Sequence, residues 1–126
     1  MKIRSYEDLK VWQLAMELVE LVYMVTEKFP KKEQYRLVDQ LCRASVSVPS
    51  NIAEGSMRHT TREYIRFVGI AQGSLAEVET QVMIAKKLGF LEENDYLNIM
   101  NVASDVGKML NGLRSSLMRK INSEIS

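Results

Sequence analysis

The sequence predicts an all-α protein, an up-down-up-down antiparallel four-helix bundle. Three observations lead there. Apolar residues recur at steps of three and four along nearly the whole chain, and strand-like alternation is absent. Only six Gly and two Pro interrupt the 126 residues, so the helical segments are long. Short turns join them, which places sequence neighbours side by side and antiparallel. The expected helices cover about 5–29, 32–57, 61–88 and 93–120, within one domain, 1–126.

The first helix begins at Ser5, with Asp8 three residues on in a capping-box arrangement, and stops before Pro30. Its polar positions, Lys10, Gln13, Glu17, Glu20 and Glu27, form one narrow stripe. Trp12, Met16, Val19 and Tyr23 make one apolar row, and Leu14, Leu18, Leu21 and Val25 make another, with Val11, Ala15 and Val22 between them. A bundle helix needs an apolar face of about 100° or somewhat more. This helix has considerably more, so the rows on Trp12, Met16, Val19, Tyr23 and on Leu14, Leu18, Leu21 are candidate subunit-interface positions.

The second helix carries two stripes. Leu37, Leu41, Ala44, Val48 and Ile52 face a core, and Gln40, Arg43, Ser47, Asn51 and Glu54 form a polar stripe beside it. Pro49 interrupts the helix hydrogen bonding and should kink it. Gly55 reads better as a close contact than as a helix end. Thr60 and Glu63 then cap the third helix. Its core face is Tyr64, Phe67, Ala71, Leu75, Val78, Val82 and Ala85, and Gly69 and Gly73 within it imply close approach of another backbone. Gly89 fits a left-handed C′ position after Leu88, with Phe90 folding back. Acidic residues at 92–95 suit the start of the fourth helix, whose core face is Ile99, Ala103, Val106, Leu110, Leu113 and Leu117. The last six residues, INSEIS, are expected to fray.

If the second and third helices form a hairpin near residue 60, facing residues have an index sum near 120. Arg43 then meets Glu77, Glu54 meets Arg66, Gln40 meets Thr80, and Ser47 packs on Gly73 and Ser74. Charge-assisted pairs Arg43–Glu77 and Glu54–Arg66 are the expectation, against a simpler reading as independent surface charges.

Function is less legible. Seventeen basic and sixteen acidic residues leave a net charge of +1, so no global field draws the chain to nucleic acid or an anionic membrane. One cysteine excludes an internal disulfide, no apolar run reaches signal-peptide or membrane-span length, and a cytoplasmic location is expected. Basic residues do cluster locally. Arg58, His59, Arg62 and Arg66 lie about the second turn, and Arg114, Arg119 and Lys120 lie late in the fourth helix. Bundle topology puts both clusters at one end, a face suited to phosphate backbones of RNA or DNA, without aromatic interleaving for base stacking. The alternative is ordinary solvated charge.

Catalytic signals are weak. One histidine cannot furnish the paired Glu-x-x-His sets of a bundle di-metal site. His59 with Glu63 reads as a surface pair, Cys42 as a buried inert thiol, and no phosphate-cradling glycine loop occurs. No enzyme activity, catalytic residue, cofactor, metal or small-molecule substrate is expected.

The segments QLCRASVSVPSNIAEG, REYIRFVGIAQGSLAEVET and KKLGFL, with YEDLKVWQLAMEL near the start, resemble the bacterial four-helix-bundle family of 23S ribosomal RNA intervening-sequence proteins. The likeness covers about residues 5 to 118, and the same bundle occurs in the accessory protein of diversity-generating retroelements. The resemblance implies a four-helix bundle, a homo-oligomer, several members being ring-shaped pentamers, and no established enzymatic activity. The retroelement relative's nucleic-acid binding through basic surface is the precedent for the basic end.

Overall fold

In the computed structural model, which describes residues 5–125, four helices are present: α1 (Lys10–Thr26), α2 (Leu37–Ser56), α3 (Thr61–Lys87) and α4 (Glu93–Ile125). Two short 3-10 turns, Tyr6–Asp8 and Lys31–Glu33, precede α1 and α2. α1 packs on α2 and α4, and α3 packs on the same two, which closes a four-helix bundle. No strand occurs among the described residues.

The local chemistry explains most boundaries. The Thr60 hydroxyl accepts from the Glu63 amide at 3.2 Å and starts α3. At the other end Gly89 has φ +78°. The Gly89 amide donates to the Lys86 carbonyl at 3.1 Å and the Phe90 amide to the Ala85 carbonyl at 2.9 Å, the paired bonds of a Schellman motif. Phe90 returns onto Phe29, ring centroids 5.8 Å apart. Lys86 Nζ reaches the Glu93 carboxylate at 2.7 Å and ties the end of α3 to the start of α4.

Three expectations about the elements are corrected. The Ser5 hydroxyl accepts from the Glu7 amide, not Asp8, so it caps the 3-10 turn, and α1 begins five residues later at Lys10. α2 likewise begins at Leu37, because Lys31–Glu33 forms its own turn. α4 continues to Ile125, through most of the segment expected to fray. The hydroxyl of Thr61, on α3, approaches Glu124 at 3.5 Å, within that extension.

The core follows the predicted faces, except that Val68, placed on none of them, joins it and Leu37, Tyr64 and Leu113 are only half-buried against it. Leu41, Val48 and Ile52 from α2, Val68, Ala71, Val78 and Val82 from α3, and Ile99, Ala103, Val106 and Leu110 from α4 are fully enclosed. In α1 the enclosed line is Val11, Ala15, Leu18, Val22 and Val25. It takes the middle positions together with two residues of the leucine row. Pro49 is buried inside a helix that runs unbroken from Leu37 to Ser56.

The glycines divide in a way the sequence did not disclose. A Cβ at Gly55 would meet Phe67 Cβ at 2.7 Å and Tyr64 Cδ1 at 3.1 Å, so α2 and α3 approach closely at Gly55. At Gly69 and Gly73, where close approach was expected, nothing lies within 4 Å. Both are exposed, so no backbone among the described residues accounts for them.

Candidate functional site

Three surface features carry polar or apolar groups that the core does not absorb. The first is an apolar groove of about 290 Å³ between α1 and α2, lined by Tyr6, Trp12, Met16, Val19, Val46 and Pro49, with Ser50 and Ala53 at its edge. It is where the tryptophan row emerges. Trp12 is half-buried and stacks edge-on against Tyr6 at 5.4 Å. Met16 and Tyr23 keep 40% and 49% of their surface exposed, so the bundle does not cover this row. The leucine row fares differently: Leu18 is enclosed, and Leu14 and Leu21 are packed against the core. A smaller apolar strip, half-buried Leu21 and Val102 with exposed Met24, follows the α1–α4 seam beside Glu17 and Glu20.

The second feature is the polar stripe along the α2–α3 seam. Ser47 Oγ and Ser74 Oγ lie 2.8 Å apart, in the register expected of the hairpin. Asn51 Nδ2 donates to the Ser47 carbonyl at 2.8 Å and to Ser47 Oγ at 2.9 Å. The two expected interhelical ion pairs do not form. Arg43 Nε donates instead to Asp39, one turn earlier, at 3.1 Å to Oδ1 and 3.2 Å to Oδ2. Glu54 takes Arg58 Nη2 at 3.2 Å, and Arg66 Nε takes Glu63 at 3.1 Å. Partners one turn apart on the same helix meet with little loss of side-chain freedom. Pairs across a seam must extend two long side chains at once. Gln40, Arg43, Ser47, Ser74, Glu77 and Gln81 therefore line an open groove of about 270 Å³.

The third feature is the basic end. The Thr61–Glu124 contact brings the α2–α3 turn beside the last turns of α4, so Arg58, His59, Arg62 and Arg66 share one end with Arg119 and Lys120, while Arg114 lies nearer mid-bundle, one turn from Asn111, which bonds Gln72. Arg58 and Arg66 are already engaged. Besides their carboxylates, both guanidiniums lie on the Phe67 ring, at 4.9 and 4.5 Å from its centroid. The Arg66 hydrogen bond holds the Glu63 carboxyl below the usual carboxylate range, and Glu63 in turn holds Arg66 charged, with a smaller attraction from Glu54. Burial raises the Tyr64 hydroxyl nearby. Arg62, Arg114, Arg119 and Lys120 are exposed and make no ion pair among the described residues.

Phe67 is the residue that sequence reasoning placed in the core without seeing its second role. It is buried, and it is also the platform for two arginines. Spacing offered a signal, since Arg66 adjoins it and Arg58 lies across the turn. Tyr6, Val46 and Pro49 of the apolar groove were missed because they belong to segments that periodicity assigned elsewhere.

Among the described residues no group of three or more His, Cys, Asp or Glu side chains could hold a metal ion. Cys42 is half-buried beside Thr26, Sγ to Oγ1 3.8 Å. Burial pushes its thiol up, outweighing the Thr26 hydrogen bond, and this disfavours the thiolate. No helix among the described residues is long and apolar enough to cross a membrane.

These features define an all-α four-helix bundle with its distinctive chemistry on helix seams and at one end. The sequence model of the 23S rRNA-intervening sequence protein family matches residues 7–112, and the chain belongs to that family. It is similar to a solved structure, a protein with unknown function from the S23 ribosomal protein family of Bacteroides thetaiotaomicron VPI-5482. The TM-score is 0.75 at 19% identity, over 82% of this chain and 97% of that one, a likeness that speaks to fold alone. No curated protein matches the chain.

Proposed function

We propose that this protein is a non-enzymatic, homo-oligomeric scaffold or binding module that assembles through its α1–α2 face. One observation carries the reading: the tryptophan row of α1 lines an open apolar groove that its own bundle leaves exposed. Covering such a patch removes apolar surface from water at about 25 cal/mol per Å². The family resemblance supplies five as the expected copy number, arranged as a ring. A non-enzymatic role accords with the raised Cys42 thiol and the single histidine.

Light scattering tests it. The wild-type chain should have a mass several times 14.5 kDa, and Met16→Glu should shift it toward monomer. Met16 is exposed, so the substitution spares the core. A strict monomer at micromolar concentration refutes the reading.

A second reading is favoured by the unpaired cations of the basic end. In it the assembly binds RNA or DNA through phosphates, without sequence preference. Filter binding across a salt series should show affinity falling steeply with salt. Charge reversal at Arg62 and Arg119 should weaken binding and leave the mass unchanged. Failure to bind either nucleic acid at low salt removes it.

A further inference from the structure

Part of the positive charge at the basic end is held by the chain itself. Arg58 Nη2 meets Glu54 at 3.2 Å, and Arg66 Nε meets Glu63 at 3.1 Å. Arg62, one turn before Arg66, makes no ion pair among the described residues. Three guanidiniums thus stand against two carboxylates. All four paired side chains are about half exposed, and exposed ion pairs are weak because water solvates both partners. Each paired guanidinium also has a second hold. Arg58 and Arg66 lie 4.9 and 4.5 Å from the centroid of the Phe67 ring. A guanidinium that lets go of its carboxylate keeps that ring contact, so it stays at the α2–α3 turn with an N–H edge set free. Phe67 itself is buried, so the ring supports arginines and gives bases no face to stack on.

We propose that Arg58 and Arg66 are phosphate-binding residues held in reserve, and that the backbone of a nucleic acid displaces Glu54 and Glu63 to take both guanidiniums. A backbone competes well because it brings many phosphates at once and releases counterions as it binds. The proposal rests on the nucleic-acid reading and adds to it two binding residues and the carboxylates that restrain them. Its signature is one of direction: removing a restraining carboxylate strengthens binding.

The test is filter binding of the full chain to an RNA duplex and a DNA duplex across a salt series. The variants are Glu54→Gln, Glu63→Gln, Arg66→Gln, the double variant E63Q/R66Q and the control Glu124→Gln. Gln suits the third position of the Thr60-capped helix as Glu does, so E63Q should fold like wild type. Glu124 lies at the same end against Thr61 and pairs with no arginine among the described residues, so E124Q removes the same charge and frees no guanidinium. E54Q and E63Q should each bind about threefold or more tighter than E124Q, with a steeper loss of affinity on added salt. In the R66Q background, E63Q should gain no more than E124Q does. A wild type that binds, with E63Q no tighter than E124Q, overturns this proposal and leaves the nucleic-acid reading standing. Weaker binding by E63Q than by wild type does the same, since Glu63 would then support Arg66 and not restrain it. A gain that persists without Arg66 also overturns it, because lost charge alone would then account for the effect. Absence of binding by wild type and E63Q alike at low salt overturns both.

Discussion

Replacing glycine by alanine should have opposite effects at positions that look alike in sequence. Gly55, Gly69 and Gly73 all lie inside helices, where alanine is favoured by up to ~1 kcal/mol. At Gly69 and Gly73 an added Cβ meets nothing within 4 Å, so that preference should be realised. At Gly55 the new Cβ would sit 2.7 Å from Phe67 Cβ. Both atoms are fixed to helix backbones and neither can rotate away, so α2 and α3 must separate. Overpacking of that kind costs ~1–3 kcal/mol. With the upper part of that range applying and the propensity gain offsetting part of it, Gly55→Ala should lose about 1–2 kcal/mol. For a chain of this length 1 kcal/mol corresponds to about 4 °C in Tm. Thermal melts by circular dichroism, at matched concentration because assembly also shifts Tm, should place Gly55→Ala about 4–8 °C below wild type. Gly69→Ala should lie up to about 4 °C above it. Equal stabilisation at Gly55 and Gly69 would refute the close approach on which the α2–α3 packing argument depends.

Three further outcomes are expected. Ser47→Ala should cost ~1–3 kcal/mol because it leaves the buried Ser74 hydroxyl without its partner. The double variant with Ser74→Ala should cost less than the sum of the singles in a denaturation cycle. In an NMR titration the Glu63 carboxyl should protonate below the ordinary glutamate range, and Arg66→Ala should return it there. Because the folded-state value is lowered, the stability this pair contributes is present above the ordinary glutamate range and is lost as pH falls through the lowered one. Cys42 should react slowly with a thiol reagent at neutral pH and fast once the chain is unfolded, since burial raises its thiol. Fast labelling of the folded chain would contradict that environment.

What the sequence determined by itself is whatever depends on neighbours a few residues away. Helical periodicity, the Thr60 cap, the Gly89 turn with Phe90 folding back, and the core faces of α2, α3 and α4 are all local consequences of side-chain size and backbone freedom. The hairpin index sum reached one step further and set Ser47 on the Gly73–Ser74 surface, where Ser74 proved to be its partner and Gly73 stayed open. Tertiary structure decided what depends on competition. Arg43 and Glu54 each had a local partner and a cross-helix partner, and the local one prevails because it needs less side-chain ordering. Three helix-interior glycines were equivalent until packing gave Gly55 a neighbour and Gly69 and Gly73 none. The excess of apolar surface on α1 was visible as composition. Which row would stay outside was not, because a helix with apolar residues on most of its circumference can present several faces to a core. The choice falls to the helices packed against it, which enclosed Leu18 and left Met16 and Tyr23 in the open.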